Sequence, residues 1–237
     1  MQEYFVTSCG TDIGKTYITT ALCWHFRRIG GTVQAIKPIV TGWQCGAPEV
    51  SDTGKIIKSL GFDVTNEHIE RVSPWRFCYP CAPNIAARME NKTIIYEEVV
   101  AFCNKNRTAV PNSTLLIEGA GGVMSPITED KTCIDLIRDL NVDVILVVGS
   151  YLGAISHILT ALEVLRGKTN VHIVLTVQHG DDRYHRNIIE FVRKYSGREI
   201  YLQEFLPGNE HDEWIKTSPE VVDFILGRRK EDVLVRT

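Results

Sequence analysis

The chain has no apolar run long enough to cross a bilayer. Its longest strongly apolar stretch, Val144 to Val148, falls far short of the roughly 20 residues a spanning helix needs, so no membrane role is expected. It has no basic block either. Lys and Arg number 26 against 29 Asp and Glu, for a net charge of −3, and nothing in that balance provides a nucleic-acid track. Arg228-Arg229-Lys230, just after Gly227, reads as a solvated helix end. A disulfide framework is also missing: the seven cysteines stand scattered at 9, 23, 45, 78, 81, 103 and 133, an odd number without paired spacings. Cys78 and Cys81 form a CxxC, but no second CxxC or closely spaced His pair completes a zinc site, and reduced thiols are expected. Repeats, low-complexity tracts and linkers are absent, and because the sequence enters its first strand at once no signal peptide is expected. From these absences a soluble, cytoplasmic protein is expected, with residues 1–237 forming a single domain.

At 237 residues the chain can bury about 70% of its unfolded surface, enough for a full core without staples. The most informative stretch is Tyr4-Phe5-Val6-Thr7-Ser8-Cys9-Gly10-Thr11-Asp12-Ile13-Gly14-Lys15-Thr16. A β-branched and aromatic run breaks into a glycine-containing loop and ends in Gly-Lys-Thr, which predicts a strand, a phosphate loop and a helix start. Such a loop turns successive backbone N–H groups inward as an anion nest, and the following helix adds its positive end. Lys15 would reach the β/γ-phosphates and the Thr16 hydroxyl would hold Mg²⁺. The strict pattern asks for glycine five residues before Gly14, where Cys9 stands.

Downstream, Thr16 to Ile29 predicts a helix with Arg27 and Arg28 at its C-terminal end, stopped by Gly30-Gly31. Thr32 to Ile36 predicts a strand ending in Lys37-Pro38, and a lysine there either points into the ligand crevice of an α/β sheet or is simply solvated. Residues 38–50 read as a loop, Thr53 to Leu60 as a helix that Ser51 or Asp52 could cap, and residues 62–83 as an irregular aromatic segment lining a binding or subunit surface. Helices are predicted at Asn84 to Glu90 and Tyr96 to Lys105. Thr114 to Ile117 is a strand that runs into Glu118-Gly119-Ala120-Gly121-Gly122, where a carboxylate followed by small residues suits a metal-facing position. Further elements are a helix at 133–140, an apolar strand Val142 to Val148, a helix Ala154 to Leu165 and a strand Val171 to Val177. A helix Tyr184 to Tyr195, a short strand Glu199 to Leu202 and a helix from about Pro219 to Arg229 complete the series. His157 reads as a packing or capping residue, and His179 and His185 lack a closed ligand set. Alternating elements of this kind predict an α/β fold of P-loop NTPase type, with a mostly parallel central sheet and helices on both faces.

Three strand ends would then gather a phosphate loop, Lys37 and Glu118 on one sheet edge, the parts of a nucleoside-triphosphate-driven phosphoryl transfer. At this point the sequence resembles the dethiobiotin synthetase family. The matching pieces are Tyr4 to Thr7 leading into Gly14-Lys15-Thr16, Lys37-Pro38-Ile39-Val40-Thr41-Gly42, Ser51-Asp52, Glu118 to Gly122, and Val144 to Gly149 followed by Leu152-Gly153. The resemblance implies an ATP-dependent ring closure. The substrate 7,8-diaminononanoate takes up CO₂ as a carbamate, the carbamate attacks the γ-phosphate, and the second amine closes the ureido ring as phosphate leaves.

It also implies roles for individual residues. Thr16, Asp52 and Glu118 would bind Mg²⁺, while Asp12, Ile13, Gly14, Lys15, Thr16 and Tyr17 lie on the nucleotide phosphates, with Gly119, Ala120 and Gly121 beside them. Gln178 and Pro207 fall at the nucleotide's base side. Lys37 and Lys15 would be catalytic, Thr11 and Thr41 would border the diamine and its carbamate, and Tyr151, Leu152, Gly153 and Ser156 would reach across a homodimer to the partner's substrate tail. This chain departs from the family pattern at Ser8-Cys9-Gly10 and at Asp12. It also differs at Ser156, where asparagine is common, and at Gln178-His179, where an asparagine often follows the strand. A competing reading is a nucleotide-dependent switch of the partition or septum-site type; those ATPases carry a signature lysine at the position of Gly10.

Overall fold

Alternation along the first strand sets the layers. In β1, Glu3–Ser8, Tyr4 and Val6 pack into one apolar cluster and Phe5 into another on the opposite face, as the two-residue period of a strand requires. The computed structural model describes residues 2–111, 113–167, 170–178 and 182–205. Within them β1 is followed by α1 (Lys15–Arg28), β2 (Val33–Ile36), β3 (Ile39–Thr41), a 3₁₀ turn (Pro48–Val50), α2 (Asp52–Ser59), α3 (Asn66–Val72) and β4 (Trp75–Phe77). Then come α4 (Pro83–Met89), α5 (Tyr96–Ala109), β5 (Thr114–Glu118), α6 (Cys133–Leu140), β6 (Asp143–Gly149), α7 (Ala154–Val164), β7 (Val171–Gln178), α8 (Asp182–Ser196) and β8 (Ile200–Phe205).

Six strands form one parallel sheet in the order β2-β5-β1-β6-β7-β8. Helices α1 to α3 cover one face and α4 to α8 the other. Coverage on both faces explains why Leu115 to Ile117 and Val144 to Val148 are wholly buried, and why these strands read as apolar runs. Among the described residues, no helix is long and apolar enough to cross a membrane.

Two expectations are corrected. Residues 38–50 and 62–83 are not merely loops: β3 and β4 pair in parallel as a small second sheet, and α3 lies between them in sequence. Three-residue strands are too short to show a period, so these were invisible as pattern. The start of α3 did carry a signal, since the Thr65 hydroxyl caps it by accepting the His68 N–H. The α5 helix also runs on to Ala109 and β8 to Phe205. The helix expected from Pro219 to Arg229 lies outside the described residues.

Candidate active site

The phosphate loop owes its shape to what its helix lacks. Gly14 stands at the N-cap of α1 with φ 105°, no side chain caps the helix, and its first turn carries no acid. The left-handed φ suits glycine, and the uncapped N–H groups leave the positive helix end for an external anion. At the other end, His25, Arg27 and Arg28 complement the dipole. The Lys15 ammonium, nearly buried, donates to the Ser8 hydroxyl at 3.1 Å and the Gly10 carbonyl at 3.0 Å. Burial lowers its pKa and the Lys37 charge adds to that, against the opposing field of Glu118. Glycines at the facing loop allow close approach: a Cβ on Gly122 would lie 3.1 Å from the Ser8 carbonyl oxygen.

Strand register brings the second half of the site together. Ile36 pairs with Ile117 and Val6 with Glu118, so Lys37, just past the end of β2, and Glu118, the last residue of β5, are neighbours although 81 positions apart in sequence. Lys37 Nζ donates to Glu118 Oε1 at 2.8 Å and also to Asp52 Oδ2. Burial opposes its charge, but Glu118 and Asp52 outweigh that and hold it above the ordinary lysine value. Asp52 is held below the usual carboxylate range: burial works against this, and Lys37 together with the Thr16 hydroxyl prevails. Ser51, not Asp52, caps α2, accepting the Gly54 N–H at 3.1 Å, which frees the Asp52 carboxylate for Lys37.

Glu118 is fully buried. Its Oε1 also accepts the Thr16 hydroxyl at 2.7 Å, while Oε2 has no partner. A buried carboxylate oxygen without a donor is costly. Two carboxylates and a hydroxyl are the hard oxygen donors that Mg²⁺ takes, so Thr16, Asp52 and Glu118 fit that ion. Among the described residues, no group of three or more His, Cys, Asp or Glu side chains could hold a metal.

One cleft of about 660 Å³ is lined by Thr11, Asp12, Gly14, Lys15, Thr16, Tyr17, Lys37, Thr41, Asp52, Ala120 and Gly121. These expected residues are thus brought together. Gly119 is not among them, because it faces the Phe5 ring, which a Cβ there would meet at 2.7 Å. Ile13 turns its side chain into the α1 face of the sheet. Tyr151, Leu152, Gly153 and Ser156 are also outside this cleft; Leu152 is 97% exposed, and the Tyr151 hydroxyl and His157 Nδ1 lie 2.9 Å apart. Gln178 ends β7, and Pro207 lies outside the described residues.

Several contributors went unnoticed in the sequence. Lys55, one helical turn beyond Asp52, lines the cleft, and so does the wall Pro80 to Pro83, the end of the 62–83 segment that was expected to line a binding or subunit surface. The segment containing α3 and β4 positions the catalytic candidates: the Lys37 N–H donates to the Val72 carbonyl at 3.0 Å, and the Thr53 and Ser73 hydroxyls meet at 2.8 Å. The i, i+3 spacing of Asp52 and Lys55 on a predicted helix was the available signal for Lys55; the backbone contacts had none.

Comparison with known proteins adds three findings. A family profile described as an AAA domain matches residues 2–203. The ATP-dependent dethiobiotin synthetase BioD of Phenylobacterium zucineum is similar, with 38% identity over 225 residues, 94% of this chain and 95% of that protein. The protein of the same name from Caulobacter vibrioides is 45% identical over 168 residues, covering 71% and 75%. Among solved structures, the MinC:MinD cell division protein complex of Aquifex aeolicus aligns with TM-score 0.55 at 11% identity, covering all of this chain and 89% of that one. The MinD cell division protein of that organism aligns with TM-score 0.50 at 14% identity, covering 100% and 90%. At such identities the structural likeness shows the P-loop fold alone.

Proposed function

The chain belongs to the ATP-dependent dethiobiotin synthetase family, and from that premise we infer that it converts 7,8-diaminononanoate, CO₂ and ATP to dethiobiotin, ADP and phosphate. One amine adds to CO₂ and loses a proton to give a carbamate. A carbamate oxygen attacks the γ-phosphorus as the bond to ADP breaks, and the second amine attacks the carbamoyl carbon as the C–O bond to phosphate breaks.

One observation carries this reading: Lys37 and Lys15 line the same cleft, one paired to two carboxylates and the other bound only by neutral oxygens. Phosphoryl transfer is catalysed mostly by positioning and charge neutralisation. The Lys15 ammonium and the α1 N-terminus would meet the nucleotide phosphates, with Asp12 to Tyr17 around them. Asp52 and Glu118 hold the Lys37 charge at the junction between nucleotide and acceptor, where it would stabilise the carbamate and the transferring group. Thr11 and Thr41 would border the diamine. Thr16, Asp52 and Glu118 are the side chains that would hold Mg²⁺, which when bound neutralises phosphate charge.

The 151–156 segment is outside its own cleft and exposes Leu152, which supports its serving a partner's substrate tail in a homodimer. Gln178 and Pro207 would lie at the base, and substituting GTP or CTP for ATP checks how strictly the base is read. The deciding assay combines purified protein, ATP, Mg²⁺, bicarbonate and the diamine. Phosphate release should depend on the diamine and yield dethiobiotin; release that ignores the diamine would sink the reading.

A further inference from the structure

A buried hydroxyl outside the cleft reaches the phosphate loop from β7, two strands over from β1 in the sheet. Thr176, almost fully buried near the carboxyl end of β7, donates to the Ile13 carbonyl at 2.6 Å, with the Val148 carbonyl as a second acceptor at 3.1 Å. Its neighbour in the β6–β7 register is Gly149, where a Cβ would lie 3.5 Å from Ile13 Cδ1 and 3.1 Å from the Tyr151 ring. Two adjacent register positions are therefore shaped to the tip of the loop, one by a hydroxyl and one by the absence of a side chain.

The Ile13 carbonyl belongs to the peptide that carries the Gly14 N–H. The described chain has no cis peptide, and in a planar trans peptide the C=O and the N–H point in opposite directions. Holding the Ile13 carbonyl toward β7 thus aims the Gly14 N–H away from it. Gly14 lines the cleft and Thr176 does not. The loop also needs such a hold, because Asp12 (φ 57°) and Gly14 (φ 105°) on either side of Ile13 are both left-handed. A non-glycine residue in that region persists only where its surroundings over-determine it.

We propose that Thr176 is a positioning residue for nucleotide binding, orienting the Ile13–Gly14 peptide so that its N–H meets a phosphate oxygen. The inference rests on the reading of the cleft as a triphosphate site. Its test measures ATP affinity with Mg²⁺ by calorimetry on the full-length wild type, Thr176→Val and Thr176→Ser, together with the unfolding temperature of each. Thr176→Val keeps the shape and loses the donor, so its Kd for ATP should rise about fivefold to tenfold, the worth of one net hydrogen bond. Thr176→Ser keeps the donor and loses a buried methyl, so it should bind ATP as the wild type does while unfolding at a lower temperature than the wild type. A purely structural residue would not show that separation. Should Thr176→Val not fold, Thr176→Ala replaces it with the same expected Kd. Wild-type affinity in the donor-free variants, or equal losses in the serine variant, overturns the proposal. A wild type that binds no ATP overturns the nucleotide reading itself and the proposal with it.

Discussion

Lys37 stands where three charges share a small volume, between a half-exposed Asp52 and a fully buried Glu118. A buried carboxylate that loses its cation is left uncompensated, so Lys37→Ala should destabilise the protein as well as remove the charge that a transferring phosphoryl group would meet. Turnover of a folded Lys37→Ala is expected to fall by about a thousandfold, on the scale of losing a preorganised charge contact, read as kcat in the diamine-dependent assay. Unchanged turnover would take Lys37 out of the mechanism. Replacing Glu118 by Gln should raise the Mg²⁺ concentration needed for half-maximal rate, and an unaltered titration would leave Glu118 a packing residue. Burial pushes the Cys9, Cys23, Cys103 and Cys133 thiols up to about 12, whereas Cys45 and Cys78 are exposed. Iodoacetamide at neutral pH should therefore label the exposed Cys45 before those four thiols by mass spectrometry, because the thiolate is the nucleophile; the Cys78 thiol is itself held up by desolvation and the Glu90 carboxylate.

At the level of elements, helix ends decide which groups remain available for chemistry. The α1 helix lacks both a cap and a first-turn acid, and α2 is capped by Ser51, one residue before Asp52. Ser51→Ala should cost about 1 kcal/mol, the usual worth of an N-cap, and lower the unfolding temperature by about 2–4 °C in a protein of this size. Because the start of α2 carries Asp52, turnover should fall as well; a variant that loses stability at constant turnover would separate the cap from the site. Most of the elements were legible from their sequence, since β1, β6 and α1 each carry a sustained pattern. The β3–β4 sheet was not, as three residues carry no period and pairing across 36 positions (Ile39 with Trp75) is decided by contact. That sheet and α3 hold the backbone at Lys37, so the part of the fold that was hardest to read positions the residue that was easiest to nominate.

The whole molecule sets what pH and assembly do. Burial holds His172 below its ordinary value of 6.5 against the pull of Asp143. The folded state thus resists a proton that the unfolded chain accepts, so stability is intact above about pH 6.5 and falls as pH drops below it. His172→Phe, which keeps the edge-to-face packing on Tyr4, should flatten that slope in unfolding temperature against pH; an unchanged slope would assign it to other groups. Assembly is tested by complementation. Lys37→Ala and Gly153→Val, the latter forcing a β-branched residue onto φ 90°, should each be impaired alone. Co-expressed with separable tags, they should regain activity in the mixed dimer, where one site combines an intact Lys37 with an intact 151–156 segment. A mixture no better than its parts would mean that each chain completes its own site.

The sequence by itself determined the phosphate loop, the helix behind it and the strand-ending residues Lys37 and Glu118, because a contiguous run specifies its own local conformation. It also carried the order of family motifs. Only the tertiary structure decided that Lys37, Asp52, Glu118 and Thr16 touch, since the β2-β5-β1 order and the pairing of Ile36 with Ile117 bring distant strand ends together. The same holds for Thr176 beneath Ile13, 163 positions away. A hydroxyl on a strand has no local signature of what it will hold, because its partner is chosen by the packing of the sheet.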